Sequence, residues 1–194
     1  MCCASLESCK CGKSKKTRIA HGEVADTDKL PWIVYILVTK TVAGVYAGYG
    51  CTGALVDDQH VLTAAHCLPS LPEERNTPDN VRVYLGNDYW GSNKNTLKVS
   101  KYYVHESYDF SCEVECQGID IAVLKLAHPL KDVNAVCLPS NPSSFVGHKA
   151  LAAGFGEDEN GKYPKKLMMT SVTIVSNEQC RDAYQPEYGD LIKR

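Results

Sequence analysis

A histidine stands at the end of a short apolar approach: Val61-Leu62-Thr63 leads through Ala64-Ala65 to His66, and Cys67 follows at once. The approach reads as a strand running inward, and the two alanines leave room for a tight turn that presents the imidazole. A side chain that titrates near neutrality can both accept and donate a proton, which suits it to general acid–base work. Cys51 lies upstream in another strand-like run, Tyr49 to Val56. A bridge from Cys51 to Cys67 would fix the histidine's loop against the neighbouring strand. Closing a loop of about 15 residues would contribute ~3 kcal/mol. A carboxylate stands where a second group could do chemistry. Asp120 opens the apolar run Ile121 to Leu126, where burial would be costly without a hydrogen bond. Asp57, Asp58 and Asp109 compete with it, and the residues alone leave the choice open.

The elements that must position these groups read as β. Runs at Trp32–Val38, Val42–Tyr49, Cys51–Val56, Val81–Leu85, Leu97–Val104 and Ile121–Leu126 are rich in β-formers and separated by glycine or turn residues, with no sustained helical period. This predicts an all-β barrel or sandwich. Residues 69–80 and 109–118 read as surface loops. Gly48-Tyr49-Gly50-Cys51-Thr52-Gly53 matches the dinucleotide-binding spacing, and Glu73 even falls near the place of a ribose-binding acid. The mechanism fails, because Ala54-Leu55-Val56 continues as a strand and offers no helix N-terminus to a pyrophosphate. Glycines that let two strands pack closely around Cys51 are the better reading.

The chain has 194 residues with 44% hydrophobic and 23% charged side chains, enough for one sizeable domain or two small ones. The formal charge of −2 argues against a polyanionic partner, nucleic acid included, and against a membrane surface. Ten cysteines point to an oxidising compartment, with disulfides expected before metal. Zinc held by Cys2, Cys3, Cys9 and Cys11 matches no known ligand spacing. Met1-Cys2-Cys3-Ala4-Ser5 does not open a signal peptide, and no apolar run is long enough to span a bilayer, so the native N-terminus is expected upstream. Residues 1–18, rich in cysteine and lysine, carry too little apolar surface for a core.

Thr63-Ala64-Ala65-His66-Cys67 resembles the histidine motif of the chymotrypsin/trypsin family of serine endopeptidases, and the resemblance extends over nearly all of residues 11–194. It implies that His66 is the general base and selects Asp120, in Asp-Ile-Ala before an alternating Leu-Lys-Leu run, as its orienting partner. His105 falls in a family surface turn, and His21, His60, His128 and His148 are taken as structural or solvent-facing. Arg18-Ile19-Ala20-His21-Gly22 resembles the activation site, with Ala20 and His21 in place of the usual valine and glycine. The implied fold is a double six-stranded β-barrel, the first barrel complete and the second incomplete. Gly147–Gly156, with Phe155 replacing the usual tryptophan, resembles the opening strand of the second barrel. Leu167–Val175 resembles the next strand, and Ser176 to Cys180 starts a short helix.

The family order requires a nucleophilic serine after Asp120. Ser140, Ser143, Ser144, Ser171 and Ser176 follow it, but none stands in a Gly-Asp-Ser-Gly-Gly context, and all five are rejected. The resemblance therefore implies a secreted, monomeric zymogen, present as a fragment: residues 1–18 a propeptide, residues 19–194 a peptidase domain ending before its nucleophile, inactive as it stands. The alternative is a non-catalytic protease homologue acting as a binding module. The resemblance pairs Cys51 with Cys67, and Cys11 with Cys137 (Cys9 competing), which would tether the propeptide. Cys112 and Cys116, flanking a three-residue loop, would bridge locally, a departure from the family pattern, and Cys180, whose family partner would lie beyond Arg194, is expected to be unpaired. Protein substrates and protease inhibitors are the implied partners. No cofactor is expected, no calcium at Gly86-Asn87-Asp88, and no N-glycosylation sequon occurs.

Overall fold

Alternation of apolar and outward-facing residues closes the first sheet on itself. In β2 (Ile33–Val42) the side chains of Val34, Ile36 and Val38 are buried, in β5 (Val81–Leu85) Val81 and Val83, and in β7 (Ala122–Leu126) Ala122, Leu124 and Leu126. These period-two sets face one another across a closed barrel whose strand order is β2-β3-β4-β7-β6-β5. The remaining strands are β3 (Val45–Leu55), β4 (His60–Thr63) and β6 (Thr96–Val104). Leu55, Val61, Val99, Ala65 and Leu68 complete the interior. The computed structural model describes residues 11–13, 23–24, 29–42, 45–69, 78–86, 96–111, 119–139, 145–158, 161–164 and 166–184.

The two runs expected at Val42–Tyr49 and Cys51–Val56 are one strand, β3, which passes through Gly48, Gly50 and Gly53 without a break. The glycines mark close approach. A Cβ on Gly53 would lie 2.7 Å from Val61 Cγ1 and 2.9 Å from Ile36 Cδ1, and one on Gly50 would collide with the Tyr35 ring. The strand preceding the histidine, β4, is the sixth member of the barrel.

A second sheet of three strands has the order β1-β9-β8, with β1 (Glu23–Val24), β8 (Lys149–Gly154) and β9 (Met168–Thr173). It is followed by α1 (Asn177–Tyr184). A reciprocal cap starts this helix: the backbone N–H of Gln179 donates to Ser176 Oγ at 3.1 Å, and that of Ser176 donates to Gln179 Oε1 at 3.0 Å. The second sheet joins the barrel through a smaller core of Leu30, Phe155, Leu167 and Met169. Phe155 meets the Tyr35 ring edge-on at 5.5 Å, and its backbone N–H donates to Thr52 Oγ1 at 3.0 Å. Leu151, Val172 and Val175 on this sheet and just beyond it remain exposed.

Candidate active site

Register decides what meets at the mouth of the barrel. β4 pairs antiparallel with β7, Thr63 opposite Ala122. The chain leaving β4 and the chain entering β7 therefore emerge at the same end. Three residues past Thr63 is His66, on the 3₁₀ turn Ala65–Cys67; two residues before Ala122 is Asp120. The turn is fixed from below. Ala65 and Cys67 are buried on either side of His66, and a disulfide joins Cys67 to Cys51 on β3. Thr63 Oγ1 donates to the Thr52 carbonyl at 3.0 Å, tying the end of β4 to β3 beside that bridge.

The structure brings His66 and Asp120 together through two contacts. The backbone N–H of His66 donates to Asp120 Oδ1 at 2.9 Å, and Nδ1 of the ring lies 2.7 Å from Oδ2. Partial burial works to raise the Asp120 pKa. It is outweighed by hydrogen bonds from the His66 ring, the His66 backbone and the Ala65 backbone, and by attraction to the ring, so the carboxyl sits below its ordinary value. Asp120 is then an acceptor only, so Nδ1 must carry the proton it donates, and Nε2 is left with the lone pair. Cys67 Sγ lies 3.6 Å from Nε2 but is spent in the disulfide and has no proton to give. For the same reason the cluster of Cys51, His66 and Cys67 offers no thiolate pair to a metal.

Both groups are open to solvent: the His66 side chain is 62% exposed and that of Asp120 43%. Asp120 thus stands exposed at the mouth of the strand, because burial begins only with Ala122, yet it is hydrogen-bonded to His66. Two of the competing carboxylates are used locally. Asp57 accepts from the backbone N–H groups of Gln59 and His60 and contacts His60 Nδ1 at 2.8 Å, while Asp109 accepts from Ser111. His105 accepts from the Ser107 backbone N–H in a turn, and His148 packs edge-on against Phe145. Among the described residues, no serine hydroxyl bonds His66, and the described candidates Ser171 and Ser176 lie on β9 and at the cap of α1. Ser140, Ser143 and Ser144 lie outside the described residues, as do Arg18, Ile19, Cys9, Cys112 and Cys116.

Tyr108 was not singled out by sequence as part of the site. Its pKa is raised by burial first and then by the charges of Asp120 and Asp109, so its hydroxyl stays neutral beside the carboxylate. The ring packs against the barrel core and meets Phe110 edge-on at 4.9 Å. Its only signal in the sequence was membership of the turn that starts at His105. Cys11 is bonded to Cys137, and Cys180 in α1 is free among the described residues.

A family model described as Trypsin matches residues 19–193. The chain belongs to the trypsin family. Among its relatives is the CLIP domain-containing serine protease B4 of Anopheles gambiae, 26% identical over 212 residues and covering 95% of this chain and 57% of that protein. The serine proteinase stubble of Drosophila melanogaster is 30% identical over 178 residues, covering 87% of this chain and 21% of that protein. The chain thus spans well under two thirds of either relative. Of solved structures similar to this trypsin-family chain, that of GrC has a TM-score of 0.66 and 28% identity, covering 84% of this chain and 69% of the other. The scabies mite inactivated protease paralogue S-D1 has a TM-score of 0.68, covering 91% and 71%. At 22% identity it is a likeness of fold alone.

Proposed function

We propose that this chain is part of a secreted serine endopeptidase made as a zymogen, with His66 as general base and Asp120 as the carboxylate that orients it. The observation that carries the reading is the two-point contact of Asp120 with His66, which fixes the ring and leaves Nε2 free to accept. In the reaction a serine Oγ attacks the scissile carbonyl carbon as its proton passes to Nε2. Asp120 stabilises the imidazolium, and the same proton then goes to the leaving amine as the carbon–nitrogen bond breaks. Water repeats the sequence on the acyl-enzyme and releases the acid.

The nucleophile in this reading is a serine outside residues 1–194, since no serine here stands in a Gly-Asp-Ser-Gly-Gly context. Residues 1–194 alone are then inactive, and the second barrel is incomplete. Leu151 and Val172 of the second sheet are exposed among the described residues, which is consistent with this reading. A non-catalytic homologue acting as a binding module would keep the same His66–Asp120 pair, and a Gly-Asp-Ser-Gly-Gly segment in the complete coding sequence, as against a substituted serine, separates the two readings. Protein produced from the complete coding sequence should hydrolyse a peptide or ester substrate, and His66→Ala should abolish that turnover.

Activation in this reading is cleavage between Arg18 and Ile19, with residues 1–18 as the propeptide and the domain beginning at Ile19. The Cys11–Cys137 disulfide would keep the short segment attached. After limited trypsin digestion the segment should co-migrate with the domain on a non-reducing gel and separate once reductant is added. Release without reductant would remove the tether.

A further inference from the structure

The outer face of the barrel carries a row of cations that the site does not use. Lys101 on β6 stands directly opposite Lys125 on β7, which stands opposite His60 on β4; Arg82 on β5 stands opposite Lys98 on β6. Like charges directly opposed across strands destabilise a sheet. Here two such pairs lie side by side along one strand.

A bulge makes this possible. The β6–β7 register shifts between Val99 and Lys101, so Ser100 is the extra residue, its hydroxyl donating to the Lys125 carbonyl at 3.1 Å. Without the extra residue, strict alternation from Lys98 outward and Val99 inward would turn Lys101 into the core. With it, Lys98, Lys101 and Tyr103 are all exposed while Val99 stays buried. Among the described residues no carboxylate makes an ion pair with Arg82, Lys98, Lys101 or Lys125; the neighbouring Asp57 is engaged by His60. Lys101 Nζ lies 4.7 Å from the centroid of the exposed Tyr103 ring, a flat apolar surface beside the charge. Strands are about 4.8 Å apart, so the cations of β5, β6 and β7 form a track about two strand spacings across.

We propose that this face binds a sulfated polysaccharide. A linear chain of closely spaced sulfates would meet the cations of β5, β6 and β7 in turn, relieving the like-charge pairs, while a sugar ring stacks on Tyr103. The disulfides favour the extracellular polyanion over nucleic acid, and in this the proposal rests on the secreted reading above. The formal charge of −2 does not report the face, because it averages this row with acidic residues elsewhere. The row lies at the far end of the β4–β7 pair from Thr63 and Ala122, so a bound polysaccharide would leave His66 accessible.

The test is titration of the chain with a size-defined heparin oligosaccharide across a salt series. The native chain should bind, with log affinity falling linearly against log salt. The triple variant K98Q/K101Q/K125Q should bind on the order of a hundredfold more weakly at physiological salt and with a shallower salt slope. K98R/K101R/K125R, which keeps the charges, should retain binding and serves as the check that loss is not misfolding. K149Q/K162Q/K166Q, which removes equal charge from the other sheet and its neighbouring loop, should bind like the native chain. No binding by the native chain, equal loss in both glutamine triples, or tighter binding of single-stranded DNA or phosphatidylserine vesicles than of the oligosaccharide would each overturn the proposal. The readout needs no turnover, so it succeeds or fails independently of the peptidase reading.

Discussion

Asp120→Asn in the active peptidase should lower kcat on the order of ten-thousandfold with KM little changed. The size of the loss follows from which oxygen does what. Oδ1 accepts the His66 backbone N–H at 2.9 Å, and an asparagine would keep its only carbonyl oxygen there. The amide nitrogen would then occupy the place of Oδ2, 2.7 Å from Nδ1, and would turn a donor toward the ring. Nδ1 must become the acceptor, the proton moves to Nε2, and the nitrogen that should receive the serine proton has no lone pair. Asp120→Glu keeps the acceptors but moves them outward and should be intermediate. Steady-state kinetics of the three forms check this; a kcat for Asp120→Asn within tenfold of the native enzyme would mean that Asp120 does not set the tautomer.

Leu124→Ala should destabilise the domain by about 2–5 kcal/mol, enough to unfold a marginally stable one. Leu124 is fully buried at the middle of β7, with Val61 of β4 and Tyr102 of β6 as its cross-strand partners. The site hangs on that strand: β7 carries Asp120 at its entrance, and its pairing with β4 aligns Asp120 with His66. Truncation opens a cavity where three strands meet, and a closed barrel cannot collapse into it without shifting its register. Val123→Ala on the outward face should cost far less. Urea unfolding followed by tryptophan fluorescence separates the two, and a Leu124→Ala loss below 1 kcal/mol would show that the barrel interior repacks freely.

Much of this was legible in the residues. The β-rich runs announced a barrel or a sandwich, and the family resemblance supplied the barrel and the short helix that starts after Ser176. The glycines of β3 misled because a glycine is both a strand breaker and the only residue that tolerates a close neighbour, and only the partners at Gly50 and Gly53 distinguish the two. Choosing Asp120 among four aspartates was beyond periodicity. It depends on the antiparallel register of β4 and β7, which lie far apart in sequence, and the resemblance to a known motif supplied what local patterning could not. The proximity of Tyr108 to Asp120 was hidden for the same reason, since it depends on how loops meet above the barrel. The cationic row needed the bulge at Ser100, a one-residue shift that leaves almost no mark on the sequence.

The central claim is that His66 is the general base of a serine endopeptidase, and the most direct measurement is kcat/KM for an arginyl or aromatic ester substrate. It is made on protein from the complete coding sequence after cleavage at Arg18, beside its His66→Ala variant and beside residues 1–194. The prediction is turnover by the first alone, with the variant and the 194-residue chain at the buffer rate. Turnover that survives His66→Ala, or turnover by residues 1–194 that His66→Ala abolishes, would contradict it: the former would place the base elsewhere, and the latter would place the nucleophile within this chain.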